Sequence, residues 1–478
     1  MDPGCLSARG EAFILNRLVM VTSTFTRARL TRIGVPAAVF LGLTLLRTHD
    51  ITRTFWMFGD QIRYWESALL PLSQQPLGGI EAHVGVSTLG PTYYWLVWLS
   101  RVTLGPFFDN LPHAGAIAQV VLHSAIDALL LLALWTKTRS VWLALAATLF
   151  ISTAPYDLAL SATLWNPSLA SAAVKGATAL VLIGWPERSL VGVGLVAGLA
   201  WVSLHFHVPV VFCVASIFVS MVAAPLLGRD YRAVSQRAAV MAGVVAVLQL
   251  PYLVHRLSIG PGNEVDGAAV TGSLGQMLSG AAPLRVAESA AGLARAVNRI
   301  QVDPWQAAWI GWVVLACAVI VLVRHRDDVP LLAVTVLPLG VSVVGYALWV
   351  GTFDVYYYLS QMTAVVLTVL LAATAVARHH ARYVAIAALA LAVVILPARV
   401  RQAGTIHKMP EYDTLVDGSR QIANRGVPVR AIRADFLPPG GNSEFLFTVL
   451  GGTLDPAAAW VASIAADGLV SYERVSPQ

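Results

Sequence analysis

The clearest shortage in this 478-residue sequence is of charge, because only 12% of its residues are Asp, Glu, Lys or Arg. A soluble chain of average composition carries about 25%. Hydrophobic residues make up 57% of the chain, and its mean hydropathy is +0.69. These values exclude an ordinary soluble enzyme and indicate that lipid is the solvent around most of the chain.

Cysteine is also scarce, and the three that occur are Cys5, Cys213 and Cys317. Their positions form neither a disulfide framework nor a metal-binding spacing. The sequence also lacks the G-x-x-x-x-G-K-[ST] loop, H-E-x-x-H and clustered C-x-x-C. ATP-driven transport and zinc-protease chemistry are therefore unsupported. No basic stripe is interleaved with aromatics, so we expect no nucleic-acid partner.

Apolar runs near the length of about 20 residues that crosses a bilayer are repeated along the chain. Pro209 disfavours helix at the residue before it, so the long apolar stretch around it is divided in two. The sequence therefore predicts an all-α polytopic membrane protein with about eleven transmembrane helices and a small external α/β segment at the C-terminal end. The predicted spans are 33–48, 114–135, 141–156, 168–184, 189–206, 208–227, 237–254, 306–323, 330–350, 357–377 and 382–397.

Basic residues between these runs all fall on one side, which the positive-inside bias makes the cytoplasmic face. This threading gives a cytoplasmic tail at 1–32 and a transmembrane domain at 33–397, with external loops at 49–113 and 255–305 and an external domain at 398–478. Asp60, Asp157, Asp303 and Asp354 then lie outside. The basic clusters are Arg27, Arg29 and Arg32; Lys137 and Arg139; Arg229, Arg232 and Arg237; Arg324 and Arg326; and Arg378 and Arg382.

Two external segments leave alternatives open. Residues 93–104 (YYWLVWLSRVTL) form an apolar stretch that is short for a span and contains Arg101, which favours a helix lying on the membrane over one that crosses it. The glycines of the loop at 255–305 are typical of a mobile lid or of a plain connector.

Polar and aromatic residues cluster in the external segments. Residues 59–65 (GDQIRYW) place an acid and a base beside aromatics at the predicted membrane surface, where they could form a site or an interfacial anchor with a structural ion pair. Residues 90–96 (GPTYYWL), Tyr156-Asp157 and residues 165–167 (WNP) follow.

In order and spacing these segments resemble the GT-C class of integral-membrane glycosyltransferases, above all the branch with protein O-mannosyltransferases and lipid A aminoarabinose transferases. That branch has a D-E-x-R-Y-like motif after its first span and a P-P-L-x-Y-W-L-like motif later in the same loop. Residues 60–64 and 90–96 are similar to these motifs, and residues 356–359 (YYYL) are similar to a late segment. Gln61 replaces the motif's second acid, and no lysine precedes Pro91, which leaves a divalent metal and the phosphate contact open.

The resemblance implies a sugar donor linked through phosphate to a polyprenol, a lipid, glycan or protein acceptor, and inversion at the anomeric carbon. It implies Asp60 as the base and Asp157 as its helper, with both carboxylates converging above an apolar groove that holds the prenyl chain. A multi-pass protein of the cytoplasmic (inner) membrane with an external active site is expected. The expected substrate-binding residues are Arg63, Tyr64, His83, Tyr93, Tyr94, His205, His207 and Tyr357.

Other functions and roles compatible with the sequence are a transporter or flippase of lipid-linked glycans and a non-catalytic membrane assembly factor. Asp60 could instead cap a helix or pair with Arg63, and Asp157 could cap the segment after Pro155. His205 and His207 stand in an apolar stretch, where histidines are costly unless they have a partner.

Overall fold

The structure is a computed structural model that describes residues 32–79, 90–259, 282–301, 309–348, 354–434, 436–437 and 443–475. His83, Asp303 and the glycine-rich part of the loop at 255–305 lie outside these residues.

The described chain is mainly helical. Its helices are α1 (32–48), α2 (Gly59–Leu69), α3 (Thr92–Leu104), α4 (His113–Thr138), α5 (Val141–Ser152), α6 (Pro155–Ser161), α7 (Asn166–Ile183), α8 (Trp185–Arg188), α9 (Leu190–Phe206), α10 (Val211–Leu227), α11 (Tyr231–Ile259), α12 (Ala282–Gln301), α13 (Trp309–Arg324), α14 (Val329–Ala347), α15 (Met362–Val376), α16 (Ala381–Ala403), α17 (Tyr412–Asn424) and α18 (Ser443–Val449).

Helices that can cross a bilayer are repeated along the described chain. Seven are long and apolar enough, and the α5–α6 pair, bent by 65°, makes up to eight. The shorter helices α9 and α13 are also apolar. The chain is therefore a polytopic α-helical membrane protein, as the sequence predicted. The seven segments are His113–Thr138, Asn166–Ile183, Val208–Leu227, Tyr231–Ser258, Val329–Ala347, Val355–Val376 and Arg378–Ala403.

The long apolar stretch around Pro209 is broken where the sequence predicted. Helix α9 ends at Phe206, and a short 3₁₀ turn, Val208–Val210, precedes α10. The side-chain amide of Asn166 donates to the carbonyl oxygen of Phe206, one of the acceptors that a helix end leaves without an intrahelical partner. The break therefore also anchors the first residue of α7.

Helix α3 lies against the bundle and does not cross it. Its 13 residues span about 20 Å, which is less than the ~30 Å of a hydrocarbon core. Tyr93 and Tyr94 are buried, and the Tyr93 ring packs against Tyr64 and Phe206 with centroids 4.9 and 5.9 Å away. The structure thus favours the surface helix that the sequence suggested.

Several predicted boundaries shift. Helix α11 is longer than the predicted span 237–254, and α16 continues past residue 397 to Ala403. In the loop at 255–305, residues 282–301 form the regular helix α12. Its apolar residues are interspersed with charged ones, so a window of mean hydropathy does not detect this helix.

The C-terminal segment is a small α/β cap, as predicted. Strands β1 (Ala431–Arg433), β2 (Trp460–Ile464) and β3 (Val470–Arg474) form one sheet in that order, parallel between β1 and β2 and antiparallel between β2 and β3. The cap is fixed to the segment after α1, because Met409 N donates to the Thr54 carbonyl at 3.3 Å. The Tyr412 ring also packs against Phe55 and His113.

Candidate active site

Asp60 lies in the first helical turn of α2. A short non-helical segment connects α2 to the end of α1. The Asp60 carboxylate is near the positive end of the helix dipole, which favours a negative charge there. The Gln61 side chain accepts a hydrogen bond from Phe58 N at 3.1 Å and thereby closes the helix start. The Asp60 side chain itself is 45% exposed, so α2 presents a fixed carboxylate to the outside of the bundle.

Aromatic rings from distant segments surround this carboxylate. Trp165 Nε1 donates to Asp60 Oδ2 at 3.3 Å. The Trp165 ring packs against Tyr356 at 4.7 Å and His407 at 5.1 Å between centroids, and Trp56 lies 5.2 Å from His407. We call Asp60, Trp56, Trp165, Tyr356 and His407 the Asp60 site. It combines one open acid with several flat apolar surfaces, the composition of many small-molecule sites.

His207 and Tyr357 lie behind Tyr356. The His207 ring centroid is 5.7 Å from Tyr356 and 5.4 Å from Tyr357. His207 Nε2 is buried and has no hydrogen-bond partner in the described part of the chain. Burial lowers the pKa of His207 to about 3, so the imidazole is neutral near pH 7. Both predicted residues therefore border the Asp60 site.

Arg63 is loosely associated with Asp60. Its Nη2 atom lies 4.0 Å from Asp60 Oδ1, and its side chain is 50% exposed. An exposed pair at this distance contributes little stability, about 0–1 kcal/mol. A structural ion pair is therefore a weak explanation for both residues, and both groups can reach a ligand.

Tyr64, Tyr93 and Tyr94 are all buried. Tyr64 Oη donates to Asn166 Oδ1 at 2.9 Å, and Tyr93 Oη donates to Gln119 at 3.4 Å. Burial, reinforced by the Asp60 charge, raises the pKa of Tyr64 well above its usual value. The observed contacts fix α2 and α3 on the bundle, and substrate contact by these tyrosines stays a prediction.

His205 holds the start of α3. Its Nδ1 atom lies 2.7 Å from Thr92 Oγ1. A Cβ at Gly90 would collide with the His205 ring, so this close approach requires glycine. The predicted motif at 90–96 is therefore tied to the end of α9 by packing. Ligand contact by His205 stays a prediction.

Asp157 lies in a group of four buried ionic side chains that we call the charge ring. Arg47 Nη2 is 2.7 Å from both Asp127 Oδ2 and Asp157 Oδ2. Lys175 Nζ is 2.8 Å from Asp127 Oδ1 and 3.1 Å from Asp157 Oδ1. All four side chains are at most 4% exposed, and two acids balance two bases. The ring ties together α1, α4, α6 and α7.

The two predicted catalytic carboxylates do not form a pair. Among the described residues, Asp60 and Asp157 share no contact partner, and one is open whereas the other is buried. The expected convergence of the two groups is therefore not observed. A desolvated aspartate has to keep its cationic partners, and those of Asp157 are Arg47 and Lys175.

A polar cavity of about 920 Å³ adjoins the segment that carries Tyr356. We call it the arginine cavity, because Arg285, Arg295 and Arg299 of α12 line it, with Glu288 and Asp354 as the acids. Ser289 Oγ and Asn298 Oδ1, both in residues 3% exposed, have no hydrogen-bond partner within the described ranges. Buried polar atoms normally have partners, so this cavity has unused capacity to bind a polar group.

Three important residues escaped the sequence analysis of the site. Trp165 was grouped with the segments that resemble the GT-C class but was given no role at the site, and His407 was not singled out. Lys175, like its partner Asp127, stands inside a predicted span, and an ionisable residue within an apolar run is a signal that could have revealed the charge ring.

The described residues contain no group of three or more His, Cys, Asp or Glu that could hold a metal ion. Near Asp60 the side chains are aromatic rings and one guanidinium, which are not the oxygen ligands that Mg²⁺ or Ca²⁺ prefers. This set does not fit a divalent metal, and we derive no step through one.

No protein-family model matches the chain, and no curated protein matches it in sequence. Among solved structures, the chain is similar to the crystal structure of ArnT from Cupriavidus metallidurans bound to undecaprenyl phosphate. The match covers 89% of this chain and 85% of that chain, at 15% sequence identity and a TM-score of 0.45. This similarity concerns the fold alone and assigns no role to any residue of the Asp60 site.

Proposed function

We propose that the protein transfers a sugar from a polyprenyl-phosphate donor to an acceptor at the external face of the inner membrane, with Asp60 as the catalytic base. The observation that carries this proposal is the open Asp60 carboxylate, hydrogen-bonded to Trp165 and bordered by Tyr356. The acceptor is a lipid, a glycan or a protein. The active-site face carries the cap and the Asp60 site, and the basic loops lie at the other helix ends.

The geometry suits proton abstraction by a carboxylate. Trp165 Nε1 holds Oδ2, and among the described residues Asp60 Oδ1 has only the distant Arg63 guanidinium beside it. An acceptor hydroxyl can therefore approach Oδ1 and lose its proton as it attacks the anomeric carbon. The aromatic faces of Trp165 and Tyr356 provide apolar surface against which a sugar ring can pack.

The leaving polyprenyl phosphate needs cationic groups where negative charge develops. Arg63 lies beside the base, and the arginine cavity adds Arg285, Arg295 and Arg299 across the segment that carries Tyr356. Guanidinium groups bind phosphate oxygens in bidentate fashion. His207 and His83 remain proposed phosphate-side groups, with His83 outside the described residues. The prenyl chain would lie along the apolar spans.

In this proposal Asp157 does not touch the substrate and acts on the fold through the charge ring. At the anomeric carbon, a bond to the acceptor oxygen forms while the bond to the phosphate oxygen breaks, and the polyprenyl phosphate leaves. The acceptor proton passes to Asp60. A single displacement of this kind inverts the anomeric carbon and needs no covalent sugar-enzyme intermediate.

The test is release of polyprenyl phosphate from a polyprenyl-phosphate sugar by the purified protein in lipid nanodiscs. Asp60→Asn should reduce release by at least about 100-fold, the usual contribution of a general base. Glu66→Gln is the matched control, because Glu66 is an exposed acid on the same helix, and this variant should keep native activity.

Equal activity of Asp60→Asn and the native protein would refute Asp60 as the base. Binding of the donor without any release would instead favour a lipid-linked glycan transporter or an assembly factor. Movement of the donor between leaflets without release would single out the transporter.

A further inference from the structure

A second large cavity lies at the opposite ends of the helices from Asp60. Helix α4 runs over 26 residues, about 39 Å, from His113, which packs beneath the cap, to Thr138. At that far end, α4, α5, α7, α13, α14, α15 and α16 line a cavity of about 860 Å³ that opens at the surface. The Asp60 reaction does not use it, and it is separate from the arginine cavity.

The rim of this cavity is strongly basic. Lys137, Arg139, Arg324, Arg378 and Arg382 line it, together with His325 and one acid, Asp328. Lys137 Nζ neutralises that acid at 2.7 Å from Asp328 Oδ2. The side chains of the four arginines have no ion pair or hydrogen bond with any other residue that the structure describes. Arg139 follows α4, Arg324 ends α13, Arg378 lies between α15 and α16, and Arg382 lies in the first turn of α16, so all four line one space.

Such convergence exceeds what orientation in the membrane requires, because the positive-inside bias is satisfied by basic residues anywhere in the short loops. Arg139 also occupies the left-handed conformation after α4, with φ of 56°, a position that glycine fills at lower cost. The chain therefore carries an arginine at the cavity rim where another residue would be easier to accommodate.

The deeper wall of the cavity is apolar. Leu134, Leu143, Leu182, Leu331 and Leu367 line it below the basic rim. A cationic rim above an apolar wall between spanning helices matches a phospholipid, whose headgroup is anionic and whose chains are apolar. A soluble anion would fill the rim and leave the apolar wall uncovered.

We propose that this cavity binds an anionic phospholipid with two phosphodiester groups in one headgroup, that is, a lipid of the cardiolipin class. Four unpaired guanidinium groups can hold two phosphates by paired hydrogen bonds, with two groups for each phosphate. A lipid with one phosphate would leave half of this capacity unused. The site goes beyond the sugar-transfer function and does not depend on it.

The test places the full chain in phosphatidylcholine nanodiscs with increasing fractions of tetraoleoyl cardiolipin. Native mass spectrometry counts retained cardiolipin, and thermal unfolding measures stabilisation by the lipid. The double variant Arg324→Gln/Arg378→Gln should retain cardiolipin about 30-fold less well, because it removes two charges from the lipid phosphates.

The matched control is Arg232→Gln/Arg326→Gln, which removes two exposed arginines from the same membrane face but outside the cavity. This control should retain cardiolipin like the native protein. Equal loss in both double variants would overturn the site. Equal retention of phosphatidylglycerol, which has one phosphate, would overturn the two-phosphate ligand, and displacement of cardiolipin by undecaprenyl phosphate would reassign the cavity to the donor.

A double variant that fails to fold would not remove the test, because the native chain alone supplies a second measurement. Its thermal midpoint should rise with the cardiolipin fraction and not with the same charge supplied as phosphatidylglycerol. Absence of any rise with cardiolipin would refute the proposal.

Discussion

Replacing Asp157 by asparagine should destabilise the protein by about 3–5 kcal/mol without removing its chemistry. In the native protein Asp157 accepts Arg47 at 2.7 Å and Lys175 at 3.1 Å, and all of these groups are buried. Within the part of the chain that the structure describes, the variant leaves two buried cations with Asp127 as their only acid. The magnitude is the cost of breaking a buried ion pair by removing one partner.

The combined variant Asp157→Asn/Lys175→Met gives an internal comparison. It leaves one cation and one acid, Arg47 and Asp127, which keep their 2.7 Å contact. Because replacing a whole buried pair is often neutral, the combined variant should recover most of the stability that the single variant loses. Non-additivity of this kind identifies an interaction between the two residues.

The assay is unfolding in detergent followed by a thiol-reactive dye. Cys213 is 2% exposed, so in a background with Cys5 and Cys317 replaced by serine the dye reacts only when the bundle opens. Asp60→Asn is the control, because Asp60 is half-exposed and its replacement should change stability by less than about 0.5 kcal/mol. The two Asp→Asn variants should therefore behave in opposite ways, one losing stability and the other losing activity.

An Asp157→Asn protein that unfolds like the native protein but releases no polyprenyl phosphate would refute this reasoning. It would return Asp157 to the catalytic role that the sequence suggested. A combined variant no more stable than the single one would show that the charge ring is not the source of the effect.

Two further predictions concern the Asp60 site. Trp165→Phe removes the Nε1–H that donates to Asp60 Oδ2 but keeps a ring against Tyr356. Release of polyprenyl phosphate should therefore fall about tenfold, with little change in the free energy of unfolding. Unchanged release would exclude an orienting role for Trp165. Burial lowers the pKa of His407 in the folded protein, and the Asp354 charge partly opposes this shift. As the pH falls below 6.5, His407 therefore binds a proton in the unfolded chain before it does so in the folded protein. Stability from this group is therefore complete above pH 6.5 and declines below it. His407→Gln should flatten that decline in unfolding measured between pH 7 and pH 5, and an identical pH profile would contradict it.

The parts of the fold that depend on local sequence were predictable. Hydropathy located the spans, and Pro209 marked the break between α9 and α10. Helix α12 was missed because its apolar residues are interspersed with three arginines and one glutamate, which lowers the mean hydropathy of any window across it.

The site was only partly predictable, because its contacts join residues far apart in the chain. Asp60 was identified from its neighbours in residues 59–65. Its hydrogen bond to Trp165 joins residues 105 positions apart, and the bond from Arg47 to Asp157 joins residues 110 positions apart. A single sequence can mark Lys175 and Asp127 as ionisable residues within apolar runs, but it does not show which distant residues they pair with. The buried role of Asp157 therefore became visible only in the folded structure.

The docking of the cap on the segment after α1 has a consequence for biogenesis. Thr54 and Asp60 are made early by the ribosome, whereas His407, Met409 and Tyr412 follow some 350 positions later in the numbering. The nascent chain must therefore insert its intervening membrane helices before the Asp60 site has all its walls. Until the last segment is made, no partly synthesised copy contains the complete Asp60 site.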